Sequence, residues 1–389
     1  PVFNSGHGNR GGGRIIMQER KIWKAVVCGT GFGMFYIEAI KHLPEEFELV
    51  GIVAKGSERS RKCAESYGVK IYNTVAEVPE DVDLACVAIR SSSLGGSGTD
   101  MTVEFLNRGI NVILEQPVHH DDLKLCFKTA QKNKCCFMTG DLYMNMPEIR
   151  RFLQICHFMK AKGEKIEYIK AGSCVQAFYP FVEIFNQLVS GSEITINDVG
   201  EQMGGFKQIT GMAGDIPFSF QFNNSMNPQD PDNHMQILHN FCCYYQSGRL
   251  ELVDSRGPLI WYQRMNMPWS ILKDGVFPET YPEHMLAPNM EILTPDLSRI
   301  TKPYYQIALE SWTNCISMDL QKIREMSGDR KKFIIKAQQE QKASRLWNDL
   351  TQKFGYAALN SSLDPKTISL EELKSAGVLP EERKNIESE

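Results

Sequence analysis

Apolar positions change texture once along the chain. From Trp23 to about residue 139, short β-branched runs alternate with stretches whose apolar residues recur at helical spacing. That alternation is the pattern of βαβ units around a parallel sheet. It predicts strands over 24–28, 49–54, 70–72, 84–88, 111–114 and 135–138, and helices over 34–43, 57–67, 99–108 and 121–133. Gly68 and Gly109 stand where two of these helices should close. Past Gly140 the helices lengthen, and alternating strands follow over 166–174, 204–210, 218–222 and 248–254. These predict a mainly antiparallel sheet with one face covered by helices, including two with helical period over 304–326 and 333–354.

The fold expected is therefore α/β: an N-terminal Rossmann domain with a doubly wound parallel sheet, then a C-terminal α+β domain. The domains are drawn at 21–140 and 141–355. The Gly-rich residues 1–20 read as a tag-like or disordered tail, and 356–389 as a charged helical tail.

Composition narrows the function classes. The AVILMFWYC set makes up 42% of 389 residues, which sets the chain apart from disordered and collagen-like sequences. With 43 Lys+Arg against 47 Asp+Glu the net charge is -4, so no overall field draws the chain to nucleic acid or anionic lipid. No apolar run reaches the ~18 residues of a membrane helix. No basic-apolar-small order marks a signal peptide, and a cytoplasmic protein is expected. The 11 cysteines lack zinc-site spacing, and two pairs are adjacent, Cys135-Cys136 and Cys242-Cys243. They read as reduced, buried thiols with no metal.

Candidate chemistry begins after the first strand, where Gly29-Thr30-Gly31-Phe32-Gly33 opens a helix. Gly29 suits a tight turn, Gly31 a close backbone approach to a pyrophosphate, and the helix N-terminus an anion. Met34 stands where a third small residue is expected, which predicts looser helix-strand packing with Gly33 as a partial substitute. The second strand ends without the Asp or Glu that accepts from a ribose 2′-hydroxyl; Lys55, Gly56, Ser57, Arg59 and Arg61 follow instead. Hydroxyl, helix start and cations together suit a 2′-phosphate, so NADPH/NADP+ is the expected cofactor. The loop Arg90-Ser91-Ser92 to Gly96 lies at the carboxyl edge of the sheet and should run under the nicotinamide ribose.

After the fifth strand, Glu115-Gln116-Pro117 resembles the Glu-Lys-Pro motif of the glucose-fructose oxidoreductase / inositol dehydrogenase superfamily. The runs from Val27 to Gly33, Gly56 to Ser60, Ile89-Arg90-Ser91 with Gly95-Gly96, and 117–122 narrow the resemblance to the thiazolinyl imine reductases of siderophore assembly lines. Asp230-Pro231-Asp232-Asn233-His234 and Gly257-Pro258-Leu259-Ile260-Trp261 are its most specific elements. The resemblance spans most of 22–355. It implies NADPH-dependent reduction of a thiazoline C=N to a thiazolidine, on an intermediate tethered to a carrier protein of a nonribosomal peptide synthetase, by a homodimer.

Alcohol oxidation in the wider superfamily uses the motif's Lys as base, which the neutral amide of Gln116 cannot replace. Imine reduction instead needs an acid. In the thiazolinyl imine reductases the middle position is characteristically His, proposed as an acid with a downstream Tyr; here it is Gln116, and the Tyr matches Tyr143. Tyr143 is the expected proton donor, Gln116 a substrate-orienting residue and His234 a substrate-side residue at a helix start. His119 and His120 are expected to cap a helix. His239 is set aside as a metal partner for His234. Phe178, Tyr179 and Phe181 are either core or a stacking platform for an arylthiazoline. Arg150, Arg151, Lys160, Lys162 and Lys165 are candidate carrier-docking cations. Two rival readings share the scaffold: another NADPH-dependent imine or carbonyl reductase, and a catalytically silent NADP-binding scaffold or sensor, which would have no need of Tyr143.

Overall fold

Buried apolar runs build the first sheet. A computed structural model of the chain describes residues 21–92, 95–267, 270, 280–361 and 368–378; the expected tail 1–20, Ser93 and Leu94, and parts of 356–389 lie outside the described residues. Strands β1 (Trp23–Cys28), β2 (Phe47–Val53), β3 (Lys70–Tyr72), β4 (Leu84–Val87), β5 (Asn111–Leu114) and β6 (Phe137–Thr139) pair in the order β3-β2-β1-β4-β5-β6. Every pairing is parallel. Ala25 to Cys28 and Leu84 to Val87 are fully buried, as central strands covered on both faces must be. Helices α1 (Gly33–Lys41), α2 (Glu58–Tyr67), α3 (Gly98–Asn107) and α4 (His120–Lys132) make the crossovers. The Ser57 side chain caps α2 by accepting from the Ser60 N–H, and Gly68 closes it at φ +64°. All 11 cysteines are buried free thiols.

In the second domain α5 (Pro147–Ala161) and α6 (Phe178–Leu188) cover one face of an eight-stranded sheet. Its strands are β7 (Ile166–Cys174), β8 (Ile194–Val199), β9 (Phe206–Ala213), β10 (Ile216–Asn223), β12 (His239–Tyr245), β13 (Gly248–Leu252), β14 (Leu259–Gln263) and β15 (Met290–Ile292), in the order β15-β14-β13-β12-β7-β10-β9-β8. A two-residue strand β11 (Ser225–Met226) pairs separately with β16 (Ala358–Leu359). The sheet is antiparallel except where β7 meets β10. That one parallel pair follows from α6: the helix returns the chain across the sheet, so after two hairpin reversals β10 runs alongside β7 in the same direction.

The aromatic cluster on α6 is core. Phe178, Phe181 and Phe185 meet Phe222, Phe220 and Phe218 with ring centroids 4.7, 5.0 and 5.1 Å apart, and Tyr179 is 2% exposed. None of these rings is a platform for a ligand.

After the turns α7 (Glu283–Leu286) and α8 (Tyr304–Gln306), a π-helical stretch Ile307–Trp312 leads into α9 (Thr313–Ser327), and α10 (Arg330–Phe354) follows. A last helix, α11 (Leu370–Ala376), carries a capping box from Ser369 and Glu372. Helix α9 returns to pack on α1 and β5, and α10 on α4, β6 and α6. Charge fixes them there. The Asp141 N–H, just past β6, donates to Asp319 Oδ2 at 2.8 Å, and Asn145 Nδ2 donates to Asp319 Oδ1 at 2.7 Å. Lys322 and Lys336 reach Asp141 at 2.7 and 2.6 Å, Lys336 also pairs with Glu340 at 2.9 Å, and Glu340 accepts from the Thr139 N–H at 3.1 Å.

Burial alone would raise the Asp141 carboxyl, but Lys336 and Lys322 outweigh it and bring the pKa to about 2. Burial pushes Asp319 and Glu340 up to about 7. A carboxyl with a raised folded pKa holds its proton more tightly in the fold than in the unfolded chain. Its stabilisation is complete below the ordinary carboxylate range and is lost as pH rises through about 7. Asp141 has the opposite sign, losing its contribution only as pH falls below about 4 toward 2. Two outcomes are expected. Asp141→Ala leaves two part-buried ammonium groups under-compensated and should cost up to about 3–5 kcal/mol in urea denaturation. The fall in thermal midpoint between about pH 5 and about pH 8 should be smaller in Glu340→Gln than in the wild type; equal slopes would contradict the assignment.

Candidate active site

Backbone close approach shapes the cleft at the carboxyl ends of β1, β4 and β5. Gly29 sits at φ +87°, where an added Cβ would lie 3.1 Å from the Ala88 carbonyl oxygen. Gly31 is exposed, and only Arg59 Nη2 comes within 3.6 Å of where its Cβ would be. At Gly33 a Cβ would meet Val27 Cγ1 at 3.0 Å, so α1 packs tightly on β1 at this glycine and the looser packing expected from Met34 is absent. Phe32 caps α1 without a side-chain bond, and no acidic residue occupies the first turn; the Met34 and Phe35 N–H groups donate back to the Gly31 and Phe32 carbonyls at 3.2 and 3.0 Å, which leaves the Phe32 and Gly33 N–H groups, without a backbone partner among the described residues, to meet an anion. This cradle fits a dinucleotide pyrophosphate.

The stretch past β2 is polar and cationic. Lys55, Ser57 and Arg59 are exposed past β2, around Gly56 at φ +72°. Arg59 Nε donates to the buried Thr30 hydroxyl at 3.3 Å, and Arg61 Nε to the Gly56 carbonyl at 2.7 Å. Glu58, the carboxylate nearest in sequence, pairs with Lys62 at 2.8 Å.

Past β4, the Ser91 hydroxyl donates to the Pro117 carbonyl at 2.7 Å and the Ser92 N–H to Thr99 Oγ1 at 3.2 Å. Arg90 crosses to the second domain and meets Asp232 at 3.3 Å. The segment 230–234 is a turn rather than the expected helix start: Pro231 follows Asp230, and His234 sits at φ +66° with Nε2 3.0 Å from Asp230 Oδ2. His119 caps α4 and meets Asn348 of α10 at 3.0 Å, and His120 lies 3.4 Å from Arg345.

The Glu115-Gln116-Pro117 loop is held by its neighbours. The Tyr36 hydroxyl donates to Glu115 Oε2 at 2.7 Å, an arrangement open only because residue 140 is glycine: a Cβ there would lie 2.7 Å from that hydroxyl. Burial pushes Glu115 up to about 7. The Gln116-Pro117 peptide is cis. Gln116 Nε2 donates to the Gly140 carbonyl at 2.5 Å and to Glu183 Oε2 at 3.4 Å, and Gln116 Oε1 is buried with no partner among the described residues.

Tyr143 lies on the loop after β6, close by that grip on Gly140. Its ring meets the edge of His239 at 4.7 Å, and its hydroxyl makes no hydrogen bond among the described residues. Burial first, then Cys174, Asp254 and Glu115, raise its pKa, so it carries its proton at neutral pH. His239 is pinned between the Ala177 carbonyl and the Ser255 hydroxyl, both at 2.8 Å, and burial lowers its pKa to about 4. It is a neutral wall for Tyr143. Sequence reading passed over His239 in this role because β12 has no motif around it. It also missed Glu183, whose apolar neighbours on α6 made the whole helix read as core.

Residues 23–141 match the profile of an oxidoreductase family with an NAD-binding Rossmann fold, Gfo/Idh/MocA, and residues 164–262 match that of the thiazolinyl imine reductase Irp3-like C-terminal domain. The chain belongs to the Gfo/Idh/MocA oxidoreductases, with a second domain of the thiazolinyl imine reductase type. No curated protein matches it by sequence.

Solved structures share the fold. GenD2 from gentamicin A biosynthesis, in complex with NAD, is 11% identical over 88% of this chain and 95% of its own, with a TM-score of 0.60. An oxidoreductase from Agrobacterium radiobacter, in complex with NAD+, L-tartaric acid and magnesium, is 10% identical over 91% of this chain and 100% of its own, with a TM-score of 0.60. A myo-inositol dehydrogenase from Corynebacterium glutamicum is 13% identical over 89% and 100%, with a TM-score of 0.57.

The two inner glycines should separate binding from folding. Gly31→Val, at an open position, is expected to leave thermal stability unchanged while abolishing dinucleotide binding measured by fluorescence of the reduced cofactor. Gly33→Ala should lower stability by about 1–3 kcal/mol through overpacking on Val27.

Proposed function

We propose that the protein reduces a thiazoline C=N to a thiazolidine with NADPH, on an intermediate tethered to a carrier protein of a nonribosomal peptide synthetase, as in siderophore assembly. The observation that carries this reading is a protonated Tyr143 hydroxyl with no hydrogen bond among the described residues, three residues past the Gly140 that holds a Glu-Gln-Pro loop whose middle residue is no titrating base. An acid without a base suits adding a proton to nitrogen and does not suit removing one from an alcohol.

Gly29, Thr30, Gly31, Phe32 and Gly33 would hold the pyrophosphate. Lys55, Gly56, Ser57 and Arg59 would hold the 2′-phosphate, and Arg90, Ser91, Ser92, Glu115, Gln116 and Pro117 would line the nicotinamide end. The bound cofactor supplies a hydride to the imine carbon. Tyr143 gives its proton to the nitrogen, His239 keeps the Tyr143 ring in place, and Arg90 with Asp232 closes the 230–234 turn over the cleft so that His234 faces the substrate side. Arg150, Lys160 and Lys162, exposed on or just past α5, would meet the carrier's acidic surface.

The test follows consumption of reduced cofactor with a soluble hydroxyphenyl-thiazoline thioester. Wild-type turnover is expected, and Tyr143→Phe should lower kcat by roughly 10²-fold or more. Arg59→Ala should erase about tenfold of the preference for NADPH over NADH. Full activity in Tyr143→Phe would remove it as the acid, and turnover of ketones alone would favour a carbonyl reductase on this scaffold.

A further inference from the structure

The amide of Gln116 has only one tolerable orientation. Its nitrogen faces the Gly140 carbonyl oxygen at 2.5 Å and Glu183 Oε2 at 3.4 Å. Turned over, the amide would press Oε1 against that carbonyl, two acceptors with no proton between them. Glu183 makes no other hydrogen bond among the described residues. It is 6% exposed on α6, and burial holds its carboxyl well above the usual carboxylate range, so it stands beside the loop as a neutral group. The consequence is an amide oxygen, Gln116 Oε1, buried at the carboxyl end of β5 with no partner among the described residues.

A buried acceptor left without a donor marks where a ligand's donor belongs. Neither a carbonyl nor a neutral imine brings one to its reacting atom. The N–H bond formed when an imine is reduced does.

We infer that Glu183 is a positioning residue for this reduction: with the Gly140 carbonyl it captures the Gln116 amide nitrogen, and so presents Gln116 Oε1 to the N–H that the reaction creates. The inference rests on the imine reductase reading. In the step, the Tyr143 O–H bond breaks and an N–H bond forms at the former imine nitrogen. The adjacent carbon gains a hydride from the reduced nicotinamide, which ends oxidised, and the tyrosinate recovers a proton from solvent. Gln116 exchanges no proton. Its oxygen accepts a hydrogen bond that strengthens as positive charge builds on the N–H, stabilising the transition state more than the bound imine. A fixed acceptor also selects C=N over C=O, because a carbonyl oxygen gathering negative charge would need a donor at the same place.

The test uses the full chain with two substrates, a hydroxyphenyl-thiazoline carboxylate and the matching aryl ketone, and reads kcat, KM and cofactor affinity. Glu183→Gln keeps a neutral acceptor and should stay within about threefold of wild type on the thiazoline. Glu183→Leu removes one of the two acceptors that hold the amide nitrogen and leaves the Gly140 carbonyl alone to orient it; kcat on the thiazoline should fall roughly tenfold at unchanged cofactor affinity, while the ratio of ketone to thiazoline turnover rises. Gln116→Leu removes the acceptor without touching α6 and should show the same loss of kcat. Wild-type kcat in Gln116→Leu, an unchanged substrate ratio in Glu183→Leu, or equal losses in the two Glu183 variants would overturn the inference while leaving the reductase reading intact. A wild type that reduces no thiazoline would overturn both.

Discussion

One carboxylate, Asp141, ties the molecule together. It is the first residue past the glycine that follows β6, and it holds Lys322 of α9 and Lys336 of α10 while its own N–H is held by Asp319. Through these bonds the last two long helices of the chain are fastened to the edge of the first sheet. A buried ion cluster of this kind adds little net stability over an apolar core, because desolvation offsets most of its attraction. Its value is geometric: it admits one arrangement, and that arrangement sets where Gly140 and Tyr143 lie. The Gly140 carbonyl then orients Gln116, and the missing Cβ of Gly140 makes room for the Tyr36 bond to Glu115. Cleft geometry on the first domain thus depends on helices from the far end of the sequence.

Much of the fold was legible because the first domain repeats one local pattern. The strands of the parallel sheet are short apolar runs, the central ones buried on both faces, two of the helices are followed by a glycine, and Ser57 and Gly68 bound α2 as a hydroxyl cap and a glycine stop. The second domain was less legible where long-range pairing decides the outcome. No local signal shows that β7 and β10 run parallel, since that follows from the α6 crossover. The turn at 230–234 was misread as a helix start because Asp residues before a His look like caps, whereas His234 in fact adopts a left-handed backbone conformation.

The site divides in the same way. The glycine loop, the cationic stretch after β2 and the Glu-Gln-Pro loop are contiguous in sequence and announce themselves. Glu183 and His239 do not. Each lies in an apolar element and gains its role only through a neighbour brought from elsewhere, Gln116 in one case and Tyr143 in the other. Polar residues embedded in apolar runs are the ones a periodicity argument assigns to the core. Burial assigns these two correctly as buried while saying nothing of what they face.

The central claim is that this cleft passes a hydride to an imine carbon. The most direct measurement is label transfer: the protein is incubated with NADPH deuterated at nicotinamide C4 and a hydroxyphenyl-thiazoline thioester, and the product is read by mass spectrometry and NMR. The account predicts a thiazolidine carrying a single deuterium on the former imine carbon and a solvent-derived proton on nitrogen. A thiazoline recovered without label, while the cofactor binds, would contradict it.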